Sequence, residues 1–275
     1  REIKEKELVW TNIDQVDEES MQYLKDRYHF HHLDLEDVQS EQQIPKIDVY
    51  PDYIFLVLRF PHWDHQKKMI VAEEVDIFVG PSYLITIQTH KSRELRDFFY
   101  RCLNNRSVRD DWMSENSGYL LYRLIEALFH NTRPILNNLG KTLAEKEEEI
   151  FRTAEPDTGL VMQLAHVRRN VLGFRRVIDP QRHIVSHIST IKHPLIDESL
   201  RVYFDNVNDY LNNIWSIVET YKETIDGFHL TVESLLNRRI NKIISTLTVI
   251  SVSLLPLTLL SGIYGMNIPL PFREQ

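Results

Sequence analysis

The stretch IISTLTVISVSLLPLTLLSGI, residues 243–263, decides how this chain is built. It runs for 21 residues without a charge, enough for one helix across a hydrocarbon core about 30 Å thick. A buried helix of a soluble core is the alternative, but an uncharged run longer than ~18 residues argues for a span. Upstream, from Asp197 to Leu255, there is no proline and one glycine, Gly227. Asp197 and Glu198 suit a helix start, where carboxylates cap free N–H groups and oppose the dipole. One helix is therefore expected to begin in water and end in a membrane. At 1.5 Å per residue its ~65 residues would extend about 100 Å, as a stalk.

The stalk carries a regular apolar stripe: Leu211, Ile214, Val218, Tyr221, Ile225, Phe228, Val232 and Leu235. Alternating spacings of three and four make a heptad seam, which signals packing against another helix. The partner is either copies of the same helix or the segment before it. Arg238, Arg239 and Lys242 sit just before the apolar run and mark the cytoplasmic side of a span. The opening REIKEKELVW is charged and has no apolar core of a signal peptide. The N-terminal body is therefore expected in the cytoplasm.

That body reads as a mixed-sheet α/β domain over residues 1–112. Residues 8–10 close a first strand, and residues 17–28 and 32–38 are short helices with acids at their starts. Strands are expected at 44–49, 53–60, 75–79 and 83–89, with YIFLVLRF central and covered on both faces. A helix follows at 91–103. Residues 113–193 read as an αα-hairpin: one helix running to Ile150 and kinked at Pro134, a turn at Glu155-Pro156-Asp157, then a second helix. Residues 187–194 connect it to the stalk, 194–240, which leads into the membrane helix, 241–263. Glu145, Glu147, Glu148, Glu149, Glu155 and Asp157 crowd the hairpin tip. They are read as a solvated helix end or as a collector of divalent cations.

The composition, 43% hydrophobic and 26% charged, is that of a chain folding mostly in water, and the net charge of −8 excludes the basic face of a nucleic-acid binder. Cys102 is the single cysteine, so no intrachain disulfide exists, as suits a reducing compartment.

Within the span, Asn241, Thr248, Ser251, Leu255, Thr258 and Gly262 recur at helical spacing. A mostly polar or small stripe in a membrane faces another helix or a water-filled path. Pro256 frees a carbonyl one turn earlier, near Val252, for an ion, for Ser253 or for a neighbouring helix.

Tyr264-Gly265-Met266-Asn267 follows the span directly, after Leu255-Pro256-Leu257-Thr258 and Ser261-Gly262-Ile263. With Tyr203-Phe204, Leu33-Asp34-Leu35-Glu36-Asp37-Val38, Pro45-Lys46 and Tyr53-Ile54-Phe55, this pattern resembles the CorA family of magnesium transport proteins. The resemblance implies a funnel-shaped homopentamer in the cell (inner or plasma) membrane, multi-pass at full length, with an α/β/α cytosolic domain. The first membrane helix would line the pore through the polar stripe. Tyr264, Gly265, Met266 and Asn267 in the outer loop, 264–275, would select hydrated Mg2+. Mg2+ gives up water reluctantly, and Gly265 would let the backbone turn closely. The family's second membrane helix is expected beyond Gln275.

The resemblance also implies gating by cytosolic Mg2+ bound between subunits. Asp64 lies at the family's loop position, and Asn206 falls where the family often has aspartate. Asp205 and Asp209 flank it and share a helix face. Co2+, Ni2+ or Zn2+ are alternative ions, and Met266 favours Mg2+, since zinc-transporting relatives tend to vary there. The remaining alternative is a membrane-anchored interaction module without ion flux. His29, His31 and His32 cluster, and His62 and His65 stand three apart, but no cysteine accompanies them as in a zinc motif, and they read as incidental. No phosphate loop or hydrolase motif is present, so no enzyme is expected.

Overall fold

The computed structural model describes residues 1–40, 44–88, 93–152 and 156–265. A six-stranded sheet lies between two helical layers. Its strands are β1 (Glu2–Glu5), β2 (Leu8–Ile13), β3 (Lys46–Val49), β4 (Ile54–Asp64), β5 (Met69–Gly80) and β6 (Tyr83–Gln88), in the order β1-β2-β6-β5-β4-β3. Only β2 and β6 pair in parallel; the other pairings are antiparallel. The YIFLVLRF strand lies beside the edge strand β3, not at the centre, because β5 and β6 occupy the middle. It is covered on both faces as expected. Ile54, Leu56 and Leu58 enter the large core, and Phe55 and Val57 enter a smaller one. Strand β1 escaped the sequence reading because REIKEKE offers a single inward aliphatic, Ile3, among charges.

Helices α1 (Glu18–Arg27) and α2 (His32–Gln39) cover the smaller core with Met21, Leu24, Leu35 and Val38. Asp17 starts α1 through a capping box: it accepts from the Ser20 N–H at 2.8 Å, and Ser20 Oγ accepts from the Asp17 N–H at 2.9 Å. The other face carries α3 (Arg93–Asn104), α4 (Arg106–Trp112), α5 (Ser117–His130), α6 (Arg133–Arg152) and α7 (Thr158–Thr190). The expected single helix kinked at Pro134 is two helices. The chain breaks at Asn131-Thr132, and Pro134 sits in the first turn of α6, where its missing N–H costs no helical bond. The connection expected from residue 187 begins only after Thr190, since α7 continues through Pro180.

Helix α8 (Glu198–Gly265) is a single helix of 68 residues. Its seam is filled within the chain. Leu211, Ile214, Val218, Ile225, Phe228 and Val232 are buried, chiefly against antiparallel α7. A ladder flanks the seam: Arg168 meets Asp226 at 3.0 Å, Arg175 meets Glu219, and Arg182 Nε donates to Asn212 Oδ1 at 2.8 Å. Each rung is one heptad from the next. The third lacks an acid, and there Arg182 lies over the Trp215 ring, 4.4 Å from its centroid. From Asn237 onward α8 is exposed on all sides, including its whole apolar third.

Two buried positions give tests. A Cβ on Gly118 would stand 2.0 Å from the Leu195 carbonyl oxygen. Gly118→Ala is expected to destabilise the chain by about 1–3 kcal/mol, read by denaturant unfolding in detergent. Asp76, on β5, is 1% exposed, and neither of its oxygens has a hydrogen-bond partner among the described residues. Burial first, then Glu74 and Asp37, push its carboxyl well above the usual range, with Lys46 opposing. Stability from a raised carboxyl is present below the unfolded value of about 4 and is lost as pH climbs through the folded one. Asp76→Asn should therefore raise the melting temperature at pH 8 by a few degrees and give no gain near pH 3, as thermal scans across pH will report.

Candidate ion path and metal sites

The stripe residues Asn241, Thr248, Ser251, Leu255, Thr258 and Gly262 all lie exposed along one side of α8. Two of its hydroxyls are turned inward along the helix: Thr248 Oγ1 donates to the Ile244 carbonyl at 2.8 Å and Thr258 Oγ1 to the Leu254 carbonyl at 2.7 Å. Each spends its proton on backbone and presents lone pairs outward. Ser253 donates to Val249, at 2.7 Å, so it does not serve the Val252 carbonyl below Pro256. Tyr264 is 78% exposed. Gly265 closes α8 with helical backbone, and no described glycine has a positive φ, so the close turn expected at Gly265 is not made there. Helix α8 runs through Tyr264 to Gly265, two residues past the apolar run. Met266 and Asn267 lie outside the described residues.

Asp64 ends β4, inside the strand rather than in the loop, and opens onto a groove of about 990 Å³ that also includes Arg169 and Arg176 of α7. Its Oδ1 accepts from the Gln66 N–H at 2.8 Å and the Lys67 N–H at 3.0 Å, which fixes the β4–β5 turn. The Lys67 N–H foremost holds the carboxyl below its ordinary value against the cost of desolvation, helped by the Gln66 N–H and by the charges of Lys67 and His62. Oδ2 faces the Lys67 ammonium at 3.8 Å. Asp205, Asn206 and Asp209 are exposed on α8, away from the buried Phe204, Val207 and Leu211. Within one chain, among the described residues, Asp64 does not join Asp205 and Asp209 in a metal-capable group.

Two such groups occur among the described residues, and sequence spacing pointed to neither. In the first, Asp34, Asp37 and Asp48 surround an internal cation: Lys46 Nζ lies 2.5 Å from both Asp37 and Asp48. Asp34 accepts from the Tyr53 hydroxyl at 2.6 Å and the Tyr50 hydroxyl at 3.1 Å, while burial pushes its carboxyl up. Lys46 thus takes the place of an ion. The second group is His62, Glu73 and Glu94. The acidic hairpin tip contributes to neither. Asp157 caps α7, Glu148 pairs with Arg152 and Glu149 pairs with Lys146, whereas Glu155 lies outside the described residues. His31 caps α2, accepting from the Leu33 N–H at 3.3 Å, and its ring centroid lies 4.5 Å from that of His32.

Residues 5–275 match the family model described as CorA-like Mg2+ transporter protein. YfjQ of Bacillus subtilis is 27% identical over 270 residues, which cover 96% of this chain and 81% of YfjQ. The cobalt/magnesium transport protein CorA of Thermotoga maritima is 27% identical over 259 residues, 94% of this chain and 72% of that protein. The complete structure of the CorA magnesium transporter from Methanocaldococcus jannaschii shares the fold, with a TM-score of 0.82 at 20% identity over 98% of this chain and 83% of that one. A match along nearly the whole length, on a mixed-sheet domain that feeds one long helix into a membrane span, establishes that the chain belongs to the CorA-like Mg2+ transporter family, whose members are divalent cation transporters and not enzymes.

Proposed function

We propose that the chain is the subunit of a homopentameric channel in the cell membrane that takes up Mg2+ and is gated by cytosolic Mg2+. The observation that carries this reading is α8. A helix with a filled seam below and an exposed, uncharged, one-sided polar stripe above has the form of a pore-lining helix. Five copies would bring Asn241, Thr248, Ser251, Leu255, Thr258 and Gly262 around one axis. Hydrated Mg2+ would meet hydroxyl lone pairs and amides, which accept hydrogen bonds from its water shell without displacing it. Tyr264, Gly265, Met266 and Asn267 would stand at the outer mouth, and the N-terminal domain would lie in the cytoplasm behind Arg238, Arg239 and Lys242.

Regulatory Mg2+ would bridge Asp64 of one subunit and Asp205, Asn206 and Asp209 of the next. Asp64 sits at a groove edge, and the other three lie on the free side of the stalk. Asn206 offers an oxygen without charge, so the flanking aspartates would supply the attraction. A second reading, transport of Co2+, draws on the relative named as a cobalt/magnesium transport protein. Competition between Mg2+ and Co2+ in a flux assay separates the two.

In the full-length protein, Asn267→Ala is expected to reduce Mg2+ uptake more than tenfold; unimpaired uptake would remove the selectivity role. For gating, Asp64→Asn is the informative variant, since its amide oxygen can still accept from Gln66 and Lys67 while the charge is lost. Mg2+ should protect the wild-type cytosolic domain from proteolysis and protect this variant markedly less.

The stripe can be mapped with thiols. Cys102 is fully buried, and burial pushes its thiol up to about 12, so it stays silent at neutral pH. Thr248→Cys, Ser251→Cys and Thr258→Cys should react with a charged thiol reagent, and Leu257→Cys and Leu260→Cys on the opposite side should not. Equal labelling of both sets would mean that the stripe does not face water.

A further inference from the structure

We propose that His62, Glu73 and Glu94 form a transition-metal site of the Zn2+/Co2+ class inside each subunit, separate from the transport path and from Asp64. The three come from β4, β5 and α3 and are 11 and 21 residues apart in sequence, yet their ligand atoms all lie within 4.8 Å of one another. His62 Nδ1 is 3.4 Å from Glu73 Oε1 and 3.7 Å from Glu94 Oε1. Pairing of Phe60 with Glu73 and of Pro61 with Ala72 puts His62 and Glu73 on the same face of the sheet, diagonally across adjacent strands. Glu94 reaches them from the first turn of α3.

The distances choose the ion. Ligands about 2.0–2.2 Å from a tetrahedral Zn2+ stand roughly 3.3–3.6 Å apart. Adjacent ligands of an octahedral Mg2+, at about 2.0–2.1 Å, stand only about 3.0 Å apart. The two distances from His62 Nδ1, 3.4 Å and 3.7 Å, lie nearer to the first spacing than to the second. The donor set agrees: imidazole suits Zn2+ and Co2+, whereas Mg2+ takes oxygen. One nitrogen and two carboxylate oxygens leave a fourth position for water. A cavity of about 20 Å³ lies among the three side chains, walled by Leu128, Asn131 and Ile135. That is room for one water-sized occupant. A bound ion would fasten the β4–β5 hairpin, which carries Asp64, to α3.

The test titrates the untagged full chain in detergent with Co2+ and follows its visible absorption, in the presence of millimolar Mg2+. One equivalent per chain is expected, with the intense band of a four-coordinate ion, displaced by Zn2+. Removing even an outer partner of a metal ligand costs on the order of 10- to 100-fold in affinity. His62→Ala, Glu73→Gln and Glu94→Gln should each weaken binding by at least that much, with unchanged circular dichroism. X-ray absorption of the Zn2+-loaded wild type should read one imidazole and oxygen neighbours, which decides the matter even if a variant fails to fold. Absence of a saturable band in the wild type, a band that survives in folded His62→Ala, or a shell with two imidazoles or sulfur would overturn the assignment.

Discussion

Between the sheet and α8 lie α5 and α7, and α7 does most of the holding. On one side Asn170 Oδ1 accepts from the Ile70 N–H of β5 at 3.2 Å, and Gly173 faces the same residue. On the other side its apolar stripe fills the heptad seam of α8. Full burial of an aliphatic side chain contributes about 1.5–3 kcal/mol, so six buried seam residues outweigh the half-exposed ion pairs beside them. Pairs of that exposure contribute about 0–1 kcal/mol each. Their value lies in register. With Arg168, Arg175 and Arg182 one heptad apart, a slip of one turn would separate every rung.

This explains why the seam could be read from sequence while its partner could not. A 3-4 spacing announces that a helix is packed but carries no label for what packs on it. The partner helix α7 contains Pro180 and still runs unbroken from Thr158 to Thr190. The rungs were equally legible as Arg-x6-Arg-x6-Arg, but only pairing α7 antiparallel to α8 gives that repeat meaning. The uncharged apolar run and the acids at the start of α1 are local signals, legible without the fold. Strand β1 and helix α4 depend on tertiary contacts, Ile3 buried from a charged strand and Trp112 stacked on Trp10, whereas the α5–α6 break carries a local bond from the Thr132 hydroxyl to the Phe129 carbonyl.

The metal chemistry divides along the same line. Residues 264–267 form a local motif. Asp64, partly buried at the end of β4, and the exposed stalk residues Asp205, Asn206 and Asp209 lie on separate elements, and among the described residues of one chain Asp64 does not join the two aspartates in a metal-capable group. His62 was considered with His65, its sequence neighbour, but a strand directs alternate residues to one face. His62 faces Glu73 across the strand pair and Glu94 on the helix above. Lys46 among Asp37 and Asp48 makes the complementary point. A carboxylate cluster that looks ready for an ion can already hold one, covalently attached to the chain.

The length of α8 has a mechanical side. Apolar support from the core ends near Leu235 and Leu236, the last residues of α8 packed against it, and 29 residues of the helix remain from there to Gly265. That is an arm of about 44 Å at 1.5 Å per residue. A tilt of about 5° at its supported base carries the far end sideways by about 4 Å, more than the width of a water molecule. Displacements too small to disturb any packing in the cytosolic domain therefore arrive at the membrane as distances on the scale of an ion.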